Sequence, residues 1–200
     1  MVAVVLMAVV LTGVTPPGRS ALKAGLLVVQ VASPLRPLDV VTRDPDRRGI
    51  RLPGGSAADL YRPRGWSEAP GVVVVPGANA AGKDDPALVQ FATALARSGR
   101  RVLVPQLELR HRRLDLGDPR RIGEAVLALA GDGTVGILGF SYGAGLALVA
   151  VGDDPRVRRH TAFVATVGTY FDAVNLVRGV TTGVVPDAGG RTAAWEAAPE

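Results

Sequence analysis

The 200-residue chain carries 23 Lys and Arg against 18 Asp and Glu, a formal charge of +5, and is 48% hydrophobic with only 4% aromatic residues. A chain of that size buries one core without covalent staples, and the absence of cysteine excludes disulfides, thiolate zinc sites and cysteine nucleophiles together. The positive charge is almost entirely arginine, set in short groups at the ends of predicted elements without interleaved aromatics or a basic helix, so no nucleic-acid partner is expected.

The first predicted element is apolar. From Val2 to Val14 every residue except Thr12 and Gly13 is aliphatic or Met, and a second run, Ala24 to Val31, follows an interruption by Pro16, Pro17, Arg19 and Lys23. A membrane span needs roughly 20 apolar residues, so the first run is short for a span and suited to a signal-peptide core. It lacks a basic flank before it, however, and the best small-residue site, Val31-Ala32-Ser33, is followed by Pro34. An uncleaved membrane anchor over residues 1–32 is therefore expected, on a side of the membrane that the flanking charges leave open. The alternative is an N-terminal helix packed on the domain.

Residues 33–70 are rich in Pro, Arg, Asp and Gly, with β-like pieces at Val40–Thr42, Gly49–Leu52 and Ala57–Tyr61 and turns at Asp44-Pro45-Asp46 and Pro53-Gly54-Gly55. From Gly71 a regular alternation begins. Val72–Val75 is a short β-branched run suited to a fully buried strand, and a loop of small residues, Pro76 to Gly82, follows it. Asp84 and Asp85 precede Pro86, and Leu88, Phe91, Ala92 and Leu95 share one face of a helix that ends near Ser98-Gly99. Then come a strand at Val102–Pro105, a helix at Ile122–Ala130, a strand at Thr134–Phe140, a helix at Gly143–Val151 and a strand at Thr161–Val167. Strands separated by helices in this rhythm predict an α/β fold: a mostly parallel sheet with helices on both faces.

The chemistry sits in Gly139-Phe140-Ser141-Tyr142-Gly143, where the strand Val135–Leu138 turns into a helix. A serine held on a sharp strand-to-helix turn needs glycines on either side so that no side chain collides with the neighbouring helix and strand, and Gly139 and Gly143 meet that need. Such a turn aims the positive end of the helix at a developing oxyanion. The plainer alternative is that Ser141 only caps its helix.

Over roughly Val40 to Thr182, and through the strand-loop Val72–Gly82, the pair Asp85–Pro105 and the turn Gly139–Gly143, the chain resembles the α/β-hydrolase superfamily and, within it, the dienelactone-hydrolase and esterase-like branch. The resemblance implies a Ser141 nucleophile and an oxyanion hole made by the backbone N–H groups of Ala78 and Tyr142. In that family the loop before the first donor commonly begins with His-Gly. Here it begins with Pro76-Gly77, which leaves a backbone donor unaffected.

The family keeps the order serine, acid, histidine, with closing strands beyond the serine. This chain offers one such strand, then Asp172 and a helix-like stretch to Thr182, then a Gly/Ala/Pro-rich piece. Residues 33–200 are accordingly expected to be an incomplete α/β-hydrolase domain, lacking the final strands, the histidine and the usual acid, with one sheet edge left apolar and unpaired. Asp172 stands where some hydrolases place their acid, and it equally suits a helix cap. His160 is expected at the amino end of its strand, away from Ser141, whereas His111 is on the correct side but sits among Arg110, Arg112 and Arg113, whose charges depress its pKa.

The expected function is a serine hydrolase acting on a small-molecule carboxylic ester or related acyl substrate, with no metal or organic cofactor implied. The competing expectation is a non-catalytic hydrolase-fold remnant or binding module. The sequence carries no signal for oligomeric state.

Overall fold

A computed structural model describes residues 42–65, 69–108, 115–170, 172–186 and 189–194, together with Gly25, Leu27 and Gln30. The expected anchor at 1–32 lies outside the described residues apart from those three, as do His111 and Val40. Thr42 sits in a bend rather than a strand, and Asp46, expected in a turn, already belongs to the first strand.

Six strands form one sheet in the order β1-β2-β4-β3-β5-β6: β1 Asp46–Arg51, β2 Ala57–Arg62, β3 Gly71–Val75, β4 Arg101–Pro105, β5 Val135–Phe140 and β6 Thr161–Val167. The first two strands pair antiparallel with each other, and β2 pairs antiparallel with β4; all pairings from β4 to β6 are parallel. The expected mostly parallel sheet is therefore present, and β6 closes it on one side. The helices are α1 Pro86–Arg97, α2 Asp118–Ala130, α3 Ser141–Asp153, α4 Pro155–Arg159 and α5 Ala173–Thr182. The Gly/Ala/Pro-rich tail forms a small separate hairpin, β7 Val184–Pro186 with β8 Thr192–Ala194, where no strand was expected.

The strand period sorts the core into two layers. Val73 and Val75 of β3 point to the face covered by Ile122, Val126 and Leu129 of α2 and Ala147 of α3. Val72 and Val74 point to the other face, where Leu88, Ala92 and Leu95 of α1 lie. All five residues of β3 are buried, and each such valine contributes about 1.5–3 kcal/mol by leaving water. The helix α1 starts where the Asp85-Pro86 pair requires: the Asp85 carboxylate accepts from the Leu88 N–H, and Pro86 needs no N–H partner in the first turn.

Candidate active site

The register brings two strand ends together. Val75 pairs with Gly139, so the loop after β3 and the turn after β5 leave the sheet side by side at its carboxyl edge. Ser141 has φ +49°, and among the described residues it is the one non-glycine with positive φ. That conformation costs a side-chain-bearing residue about 1–3 kcal/mol, so the surroundings must hold it. They do so by close packing. A Cβ on Gly139 would stand 2.6 Å from the Ala144 Cα, and one on Gly143 would collide with the Pro76 carbonyl oxygen. The two glycines thus let β5, α3 and the loop after β3 meet.

The serine is exposed at the mouth of a cleft of about 420 Å³ lined by Pro76, Ala78, Leu88, Phe91 and Phe140 among others. Phe91 and Phe140 meet edge to face at 5.3 Å and make one apolar wall. Asn79 and Asp85 add polar groups to the lining, but the Asn79 amide is already bonded to the Asp85 carboxylate at 2.7 Å. Among the described residues no side chain caps the start of α3, so none of them takes the first-turn N–H groups, that of Tyr142 included, as a cap. Gly77 lies against the turn, since a Cβ there would be 3.2 Å from the Ser141 Cβ, and this places Ala78 next to the serine. The geometry supplies a strained exposed hydroxyl beside a helix N-terminus and a second backbone segment.

Two tyrosines flank the turn: Tyr142, expected there only for its backbone N–H, and Tyr170, which the sequence reading did not single out. The rings of Tyr142 and Tyr170 lie 5.4 Å apart. Burial, and then the Tyr142 hydroxyl beside it, push the Tyr170 phenol above its ordinary value. Tyr170 also explains Gly145, where a Cβ would come within 2.6 Å of the phenol oxygen.

Asp172 follows β6 on the same side of the sheet, as expected, and its carboxylate is engaged as a cap. It accepts from the N–H groups of Val174 and Asn175 and from the Asn175 amide at 2.9–3.1 Å. His160 lies at the opposite end of the sheet, where its Nδ1 is 2.7 Å from the Gly133 carbonyl oxygen. Among the described residues, therefore, none pairs with Ser141 as a base. No group of three or more metal-ligating side chains occurs among them either.

A charged cluster beside the cleft was not visible in the sequence. Asp59 of β2 is buried and bonded by Arg47 of β1 at 2.5 Å and by Lys83 at 3.3 Å, and both cations also hold Asp84. Lys83 and Asp84 belong to a short 3-10 turn, Gly82–Asp84, in the loop between β3 and α1. The cluster thus ties the cleft's outer loop to β1 and β2.

No protein-family model matches the chain, and no match was found among curated proteins. Solved structures do match. Dienelactone hydrolase from Anabaena variabilis aligns at 24% identity and TM-score 0.51, over 64% of this chain and 65% of its own. A dienelactone hydrolase-like promiscuous phosphotriesterase from metagenomic libraries aligns at 23% identity and TM-score 0.50, over 74% of this chain and 64% of its own. A bacterial heroin esterase aligns at 18% identity and TM-score 0.52, over 78% and 52%. The chain has the fold of these proteins, the α/β-hydrolase fold, and the match spans between half and two thirds of their lengths.

Proposed function

We propose that the protein is a serine hydrolase acting on a carboxylic ester or related acyl substrate. The observation that carries this reading is the positive φ of Ser141, a strain kept at the turn where a nucleophile belongs. Ser141 Oγ attacks the acyl carbon, the N–H groups of Ala78 and Tyr142 hold the oxyanion, and the alkoxide or alcohol leaves as the acyl-serine forms; water then releases the acid. The apolar wall of Phe91, Phe140 and Leu88 receives the acyl group. The base that accepts the serine proton comes from outside the described residues.

The second reading, a hydrolase-fold binding module, is favoured by the lack of a base beside Ser141 among those residues. Fluorophosphonate labelling read by mass spectrometry separates the two. The chain takes up the probe slowly at Ser141, imidazole in the buffer accelerates it, and Ser141→Ala abolishes it. Fast uptake that disappears in His111→Asn assigns the base to His111. Labelling unchanged by Ser141→Ala removes the nucleophile assignment, and no uptake even with imidazole leaves the binding module.

A further inference from the structure

The second apolar run, Ala24–Val31, contains one polar side chain, Gln30. Its three described residues are helical, and their exposures differ: Gly25 is exposed, Leu27 is half-buried and Gln30 is 3% exposed. A helix turns about 100° per residue, so Leu27 and Gln30, three apart, share a face, and Gly25 lies on the opposite one. The pattern is that of a helix with one side against protein.

What that side meets is also visible. Leu27 packs against the core layer that contains Val72, Val74 and Leu95. Together with Pro70, Val72, Leu95, Leu138 and Phe163 it lines a cleft of about 390 Å³. This is the sheet face that α1 covers over β3 and β4 but leaves open toward β6, where Phe163 and Val167 are each 54% exposed. Gln30 adds an independent argument. A buried amide costs free energy unless it is hydrogen-bonded, which hydrocarbon cannot provide, and Gln30 does have a bonded or electrostatic partner.

We propose that the helical turn carrying Leu27 and Gln30 is an intramolecular cover, seated through those two side chains on the open face of the sheet, and not part of a membrane span.

The chain contains no cysteine, so single thiols report single positions. Gly25→Cys, Leu27→Cys and Gln30→Cys variants of the whole chain are labelled with a maleimide, with and without phosphatidylcholine–phosphatidylglycerol vesicles. The expected result without lipid is fast labelling at position 25 and labelling slower by at least about tenfold at positions 27 and 30, independent of protein concentration and unchanged by vesicles. Leu27→Cys keeps an apolar group at its site, so it reports the docked face even if the loss of the Gln30 amide loosens the helix. Equal rates at positions 25 and 27 overturn the proposal. So does protection that appears only with vesicles, which assigns the run to the bilayer, or protection that grows with protein concentration, which assigns the open face to a second copy.

Discussion

Two strands of the one sheet treat their side chains in opposite ways. In β2 a carboxylate, Asp59, is buried, while in β6 the aromatic ring of Phe163 and the Val167 side chain stand half in water. Hydropathy alone would exchange the two. The difference lies in the neighbours: β2 is bonded on both sides and has Arg47 and Lys83 brought to it, whereas β6 is bonded on one side and caps the sheet's order among the described residues. Burial follows position in the sheet, and a charge is tolerated inside when its partners arrive with it.

The sharpest way to break this comparison is to remove apolar bulk at the centre and at the edge. Leu103, on β4 within the core, should lose about 3 kcal/mol on Leu103→Ala in urea unfolding, as large-to-small core changes do. Phe163→Ala should cost under about 1 kcal/mol, because the ring already keeps much of its contact with water. Equal losses would mean that Phe163 is more fully covered in solution than its 54% exposure indicates.

A smaller effect tests the other strand. Asp59→Ala leaves Arg47 and Lys83 without their buried partner, but Arg47 is partly exposed and both keep Asp84. The expected loss is about 2 kcal/mol, less than the 3–5 kcal/mol typical of wholly buried pairs. An acid titration sharpens the point. The hydrogen bond from Lys83, helped by the charge of Arg47, holds the Asp84 carboxyl below its ordinary 3.8. A carboxylate with a depressed folded pKa stabilises the protein above its unfolded value, and that contribution fades as pH falls below about 4. In Lys83→Met this acid dependence should weaken, as read by denaturant midpoints between pH 5 and 3.

How much of this was legible follows the range of the interactions. The limits of β6 agree with the sequence reading residue for residue, and the Asp85-Pro86 pair placed the start of α1, because both signals are local. The same kind of signal was available and unused twice more. Asp154-Pro155 opens α4, which was not expected, and Asp118-Pro119 opens α2 four residues before the expected Ile122. The turn at Ser141 was legible because glycine spacing records a close approach of backbones. The cluster around Asp59 was not, since it joins residues 12, 24 and 37 apart in the chain through the antiparallel register of β1 and β2. Nor could the sequence show that Leu27 would lie against Val72 and Leu95, because both are simply apolar until the sheet gives them a common face.

The smallest expected effect at neutral pH concerns Tyr61, directly under Arg47 in β2. Its ring is buried, the Arg47 guanidinium carbon stands 5.5 Å from the ring centre, and its hydroxyl meets no hydrogen-bond partner among the described residues. The ring and the cation are compatible with phenylalanine, whose face carries the same quadrupole, while the hydroxyl only bears a desolvation cost. Tyr61→Phe should therefore leave stability at pH 7 unchanged or raise it by up to about 1 kcal/mol. At alkaline pH the two proteins should part. Burial pushes the Tyr61 phenol up to about 12, against an ordinary 10.0, so between those values the unfolded chain ionises while the folded one does not. The raised folded pKa thus stabilises fully below pH 10, and the wild type should lose stability as pH rises from about 10 toward 12. In Tyr61→Phe that part of the alkaline loss should vanish, leaving whatever the other tyrosines contribute. Chemical denaturation at pH 7 and pH 11 measures both arms. A loss of more than about 1 kcal/mol at pH 7 would show that the hydroxyl has a partner in solution, and identical alkaline slopes would show that it ionises as freely in the fold as outside it.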